Sequence, residues 1–140
     1  MKKHKTSFMK RWILAFSVCV GVTCTSNAES VEIDGLYYEL SSATKTASVT
    51  YKSLPDNNAS YVTGELTIPS TITYERVVYT VTTISEMAFR SYKELTSVVI
   101  PNSIISIEKE AFYDCVGLTS IELPQSINKI ESYCFLVVRG

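Results

Sequence analysis

The second half of this 140-residue chain repeats itself every 23 residues. Ile84, Ile107 and Ile130 keep that interval, and so do Phe89, Phe112 and Phe135. The pairs Leu95 and Leu118, Pro101 and Pro124, and Ser103 and Ser126 follow the same spacing. One turn of chain this short cannot enclose its own apolar side chains, so it must stack on its neighbours and bury a core shared between them. The expected architecture is a β-rich α/β solenoid. Stacked coils of this kind chiefly present binding surfaces.

Each unit carries a readable internal pattern. In Leu118-Thr119-Ser120-Ile121-Glu122-Leu123-Pro124, the apolar residues Leu118, Ile121 and Leu123 alternate with polar ones in the manner of a strand. Pro124 ends that strand because it cannot donate to a ladder. A second extended stretch, Ser126 to Ile130, is expected to return Ile127 and Ile130 to the core. Glu108 to Cys115 lacks β-branched residues, which predicts a short helical turn with Ala111, Phe112 and Cys115 facing inward. Gly117 is expected to supply a backbone angle that other residues avoid.

Upstream, the chain reads as strands throughout. Val31 and Ile33, Leu36 to Leu40, Ala47 to Tyr51, Tyr61 to Ile68 and Ile72 to Val81 are rich in Thr, Tyr, Val and Ile. Asp34-Gly35 marks a tight turn, and Pro55-Asp56-Asn57-Asn58 a loop. Thr73 to Tyr79 predicts a hairpin with Glu75-Arg76 near its tip. Leu66-Thr67-Ile68-Pro69 resembles Val98-Val99-Ile100-Pro101, yet the two prolines lie 32 residues apart, nine more than one repeat, and the hairpin accounts for the excess. Residues 29–80 therefore read as an N-terminal antiparallel β cap with an irregular first coil. Residues 81–140 read as the repeats, the last one truncated.

Residues 1–28 form a different kind of segment. A basic stretch (Lys2, Lys3, Lys5, Lys10, Arg11), an apolar run from Trp12 to Val22 and the small residues around Ala28 predict an export signal cleaved after Ala28. The apolar run is too short to span a membrane. Cys24 poses a lipoprotein alternative, which Gly21-Val22-Thr23 disfavours. Cleavage would remove five of the 13 basic residues and none of the 14 acidic ones, leaving a net charge of −6 and no case for a nucleic-acid partner. It would also remove His4, the single histidine, and with it histidine bases, nucleophile triads and histidine metal ligands. Of the four cysteines, Cys115 and Cys134 would remain. They have no zinc-site spacing and occupy different positions of the unit, so buried thiols are favoured over a bridge.

The units AFYDCVGLTSIELPQSINKI and AFRSYKELTSVVIPNSIISI resemble the BspA-type leucine-rich repeat family of bacterial surface proteins. That family's unit reads roughly A-F-x-x-C-x-x-L-x-x-[IV]-x-[IL]-P-x-S-[IV]-x-x-I, and Ala111 to Ile130 matches it at every specified position. The segment IPSTITYERVVYTVTTI resembles the family's usual N-terminal lead-in. Departures are Tyr92 in place of Cys, Cys134 in place of Ala, and Leu136 to Gly140, which leave the unit after Phe135. The resemblance implies a short leucine-rich-repeat array in an exported protein displayed on a host-associated bacterium. It also implies partners such as extracellular-matrix or plasma proteins or another microbial surface.

No residue cluster points to catalysis, a cofactor or a metal. Asp114 and Glu122 have no fixed pairing for acid–base work, and scattered acidic residues on an exported solenoid serve solubility. Asp56-Asn57-Asn58 lacks the bidentate carboxylate and glycine of a calcium loop, and Asn58-Ala59-Ser60 is a chance match to a glycosylation acceptor. The nine tyrosines are expected to fill a half-buried sheet face. The candidate partner-binding strand face is Thr96, Ser97 and Val99 with Thr119, Ser120 and Glu122. The expected function is a secreted or cell-surface, non-enzymatic protein-binding or adhesion module. The rival reading is a truncated or vestigial repeat fragment, or a spacer without a ligand. An apolar C-terminal coil with nothing packed beneath it would self-associate.

Overall fold

The computed structural model describes residues 30–51 and 62–136. The expected export signal with Cys24, the Pro55 to Asn58 loop with its acceptor motif, and the residues after Leu136 lie outside that range.

Three strands open the fold: β1 (Val31–Ile33), β2 (Leu36–Ser41) and β3 (Thr46–Thr50). They pair antiparallel in sequence order, Val31 opposite Tyr38 and Tyr38 opposite Val49. Asp34 and Gly35 both take positive φ, 50° and 81°, the two-residue turn that best matches strand twist. Alternation along β2 and β3 sends Leu36, Tyr38, Ala47 and Val49 into the core.

From β3 onward the pairing changes direction. β6 (Val77–Ile84) lies parallel to β3, then β8 (Ser106–Ile107) parallel to β6 and β10 (Lys129–Ile130) parallel to β8. Ile84, Ile107 and Ile130 are direct neighbours across these strands, so residues 23 apart in sequence share one row. β5 (Thr71–Tyr74) pairs antiparallel with the first half of β6, and the hairpin turns at Glu75-Arg76 as expected. A second, wholly parallel sheet joins β4 (Gly64–Thr67), β7 (Leu95–Val99) and β9 (Ser120–Glu122). Each coil thus lends one short strand to each of two sheets.

The third wall of the coils corrects the sequence reading. No helix forms among the described residues; Glu108 to Cys115 is a run of tight turns instead. Met87, Glu110 and Tyr133 take φ of 59°, 56° and 63°, and Ser91 and Asp114 take 62° and 59°. A left-handed residue twice per coil breaks any right-handed helix. The turns leave N–H groups pointing along the array, and these pair with the next coil. Met87, Phe89 and Ser91 donate to the carbonyls of Lys109, Ala111 and Tyr113, and Glu110, Phe112 and Asp114 to those of Ser132, Cys134 and Leu136.

Inside, Phe89, Phe112 and Phe135 form a column of stacked rings, flanked by buried Ile84, Ile107, Ala88, Ala111 and Cys115. Two expectations fail at the far end. Leu123 and Ile130 are 45% and 47% exposed, whereas their counterparts one coil earlier, Ile100 and Ile107, are buried. Among the described residues no further coil packs on that side. Gly117 is also required for a different reason than expected. Its φ is not positive, but a Cβ there would fall on the carbonyl oxygen of Lys93.

Candidate binding surface

The sheet β4-β7-β9 offers the most regular exposed face. Parallel strands lie about 4.8 Å apart, and here their outward positions line up in rows. Glu65, Ser97 and Ser120 form one row; Thr67, Val99 and Glu122 form another. The six residues expected from sequence are brought together on this face. Thr96, Val99, Thr119, Ser120 and Glu122 are exposed, Ser97 is half-buried, and Thr119 sits just ahead of β9. Thr119 is partly committed, since its N–H and its hydroxyl both reach the carbonyl of Thr96, at 3.0 and 3.3 Å.

Sequence reasoning left out Glu65 and Thr67. The signal was the likeness of Leu66 to Pro69 with Val98 to Pro101, which already makes β4 the first strand of this sheet. What hid the register is a bulge: Gly64 pairs with Leu95 and Glu65 with Ser97, so Thr96 has no counterpart. That extra residue is why Leu95 and Val98, three apart, both face the core.

Chemically the face presents hydroxyls, two carboxylates and the isopropyl group of Val99. These are contact-making groups. Asp114 and Glu122 are not a pair: Asp114 accepts a hydrogen bond from Ser91, 3.2 Å, in the turn wall, while Glu122 lies on the strand face. The turn wall also carries an ionic cluster, with Arg90 and Lys109 on Glu110 at 3.0 and 3.4 Å and Arg90 over the Tyr113 ring. Among the described residues no group of three His, Cys, Asp or Glu side chains is placed to hold a metal. No described helix is long and apolar enough to cross a membrane.

Both thiols are free and inward. Cys115 donates to the carbonyl of Phe89, 3.0 Å, and Cys134 to those of Glu131 and Glu108, 2.9 and 3.0 Å. Burial pushes the Cys115 thiol up to about 11 and raises that of Cys134, so neither is a ready nucleophile. Of the tyrosines, Tyr38 and Tyr79 are buried, whereas Tyr51 and Tyr133 are exposed.

A model of the BspA type leucine-rich repeat region matches residues 66–138 in six copies. The chain belongs to the BspA-type leucine-rich repeat family. No curated relative matches it. Among solved structures, a leucine-rich repeat protein from Bacteroides ovatus is similar at 27% identity and a TM-score of 0.59, over 69% of this chain and 24% of that one. Another from Bacteroides capillosus aligns at 25% identity and 0.58, over 74% of this chain and 88% of that one. A leucine-rich cell surface protein from Faecalibacterium prausnitzii aligns at 29% and 0.57, over 72% of this chain and 26% of that one. This BspA-type chain thus spans about a quarter of the B. ovatus and F. prausnitzii proteins.

Proposed function

We propose that the protein is an exported, cell-surface-associated, non-enzymatic module that binds a protein partner through the β4-β7-β9 face. In this reading residues 1–28 direct export, residues 29–80 cap the array, and residues 81–140 form a solenoid of 23-residue units. The observation that carries the reading is the open sheet face itself, where hydroxyls and carboxylates of three coils stand in register around exposed Val99. The surface location draws on the likeness to the F. prausnitzii cell surface protein. The partner class is a host extracellular-matrix or plasma protein, or a protein on another microbial surface.

Surface plasmon resonance of the immobilised protein against matrix and plasma proteins tests it. Binding that falls at least tenfold with Ser120→Arg or Glu122→Lys, but persists with Lys93→Gln, is the expected result. A partner whose binding ignores the face substitutions would overturn the assignment.

The exposed apolar residues of the last described coil, Leu123, Ile130, Tyr133 and Leu136, support a second reading. In it the chain is a spacer or vestigial fragment that self-associates through that coil. Sedimentation as a stable monomer at tens of micromolar would count against it.

A further inference from the structure

A strand at the border of a sheet leaves a row of backbone groups unpaired, and folded proteins guard such rows with charge, proline or a bulge. Among the described residues five strands lie at a border: β1 and β10 in the larger sheet, β4 and β9 in the smaller, and β5, which pairs with β6 alone. Four of them carry a charged residue, Glu32 in β1, Glu65 in β4, Glu122 in β9 and Lys129 in β10. β5 carries none. It reads Thr71-Ile72-Thr73-Tyr74, with no proline and no shift in its register with β6.

Turn geometry fixes which of its backbone groups point away from β6. In a two-residue hairpin the residues flanking the turn exchange both of their hydrogen bonds, and every second residue back along the strand does the same. Tyr74 faces Val77 and Ile72 faces Tyr79 in this way. The bond from the Val81 N–H to the Ser70 carbonyl, 2.9 Å, continues the series. Thr71 and Thr73 therefore turn their N–H and C=O groups outward along the edge, and both residues are exposed. On its other side β6 meets β3 only from Thr80 onward, so Val77 to Tyr79 and their partners in β5 form a ribbon two strands wide. Such a ribbon is marginal in water, and further strands strengthen it.

We propose that the β5 edge pairs with the β5 edge of a second copy of this chain. The edge is complementary to itself. With a two-fold axis at Ile72, Thr71 stands opposite the partner's Thr73 and Thr73 opposite the partner's Thr71, each pair exchanging two hydrogen bonds. All the outward groups of these residues are then satisfied, Thr–Thr pairs line one face of the new sheet, and no charged residue lies in the paired segment. The product is a four-stranded antiparallel sheet in the order β6-β5-β5-β6. A two-fold contact closes on itself, so assembly stops at the dimer. This edge is separate from the last coil, whose exposed Leu123 and Ile130 underlie the spacer reading, and different variants test the two.

The test is sedimentation velocity of the purified protein from about ten to several hundred micromolar, where a reversible shift from monomer to dimer is expected. Thr73→Pro removes one outward N–H and spares the β5–β6 ladder, because proline is tolerated where its nitrogen faces away from the neighbouring strand. It should weaken dimerisation at least tenfold with amide dispersion unchanged. If that variant unfolds, a charge exchange decides instead. Thr71→Lys/Thr73→Lys should be monomeric, since lysines then oppose lysines, and so should Thr71→Glu/Thr73→Glu, while an equimolar mixture of the two should recover the dimer. Ile130→Lys should leave dimerisation unchanged. A monomer at every concentration, a dimer that survives in folded Thr73→Pro or is lost in Ile130→Lys, or a charge-exchanged mixture that stays monomeric would overturn the proposal. Growth into species larger than a dimer would overturn it as well.

Discussion

Phe89 and Phe112 stack with ring centroids 5.2 Å apart and planes 12° apart, although 23 residues separate them. Phe112 and Phe135 repeat the arrangement at 5.6 Å and 6°. The near-parallel geometry follows from the backbone: when each coil is the last one shifted by a strand spacing, identical side chains become offset stacks rather than edge-to-face pairs. Phe112 has a ring on both sides and no exposure. Phe112→Ala should cost about 3–5 kcal/mol, whereas Phe135→Ala, at a partly exposed ring, should cost less. Urea unfolding of the two variants checks the order, and equal losses would contradict the column.

Gly117 tests the fit between coils. Any side chain there meets the Lys93 carbonyl, with that of Leu95 also close, and neither is a flexible atom that can swing away. Gly117→Ala should lower stability by about 1–3 kcal/mol, as overpacking does. A unchanged urea midpoint would mean the coils lie further apart at this corner.

The β5–β6 turn is built from the wrong residues. Glu75 and Arg76 take φ of 48° and 68°, a turn that Asn-Gly adopts with far less strain. Glu75→Asn with Arg76→Gly should therefore raise stability by about 1 kcal/mol, partly offset by the freedom glycine adds to the unfolded chain. A higher melting temperature is the expected reading.

The buried thiols make stability fall in alkali. Burial pushes Cys115 up to about 11 against an ordinary 9.0. Below pH 9 both folded and unfolded chains hold the proton; between there and about 11 the unfolded chain releases it first, and stability drops. Tyr38, pushed up to about 12 by burial, acts in the same direction. Melting temperatures from pH 8 to 10.5 should decline, and Cys115→Ala should decline less steeply. At pH 8 a chromogenic thiol reagent should label Cys115 only after denaturation.

The periodic part of the fold was legible because Ile84, Ile107 and Ile130 are large, apolar and equally spaced, and one row of parallel strands needs nothing more. The β5–β6 hairpin was legible too, since Glu75-Arg76 interrupts a run of β-branched residues. The turn wall was not. Met87, Glu110, Tyr133, Ser91 and Asp114 hold left-handed angles without the glycine that usually announces them. Leu123 and Ile130 read as core because a side-chain pattern says which face is apolar, not whether another coil covers it. Six of the eight residues of the candidate face followed from the two regular units, while Glu65 and Thr67 were obscured by the bulge at Thr96.

The turn-wall hydrogen bonds have a direction: Met87, Phe89 and Ser91 all donate forward to the next coil. Along the β6-β8-β10 side, Ile105, Glu108 and Asn128 donate backward, to Thr82, Ile84 and Ile105. Every junction between coils is thus a keyed joint, with plugs and sockets on both of its faces in a fixed layout. Gain or loss of a single residue within a coil misaligns all the ladders of that joint together, while gain or loss of a whole coil leaves each joint as it was. Length in such a molecule is a quantised variable. The nine-residue surplus between Pro69 and Ile84 is tolerated because it folds back on itself as the hairpin of β5 and the first half of β6.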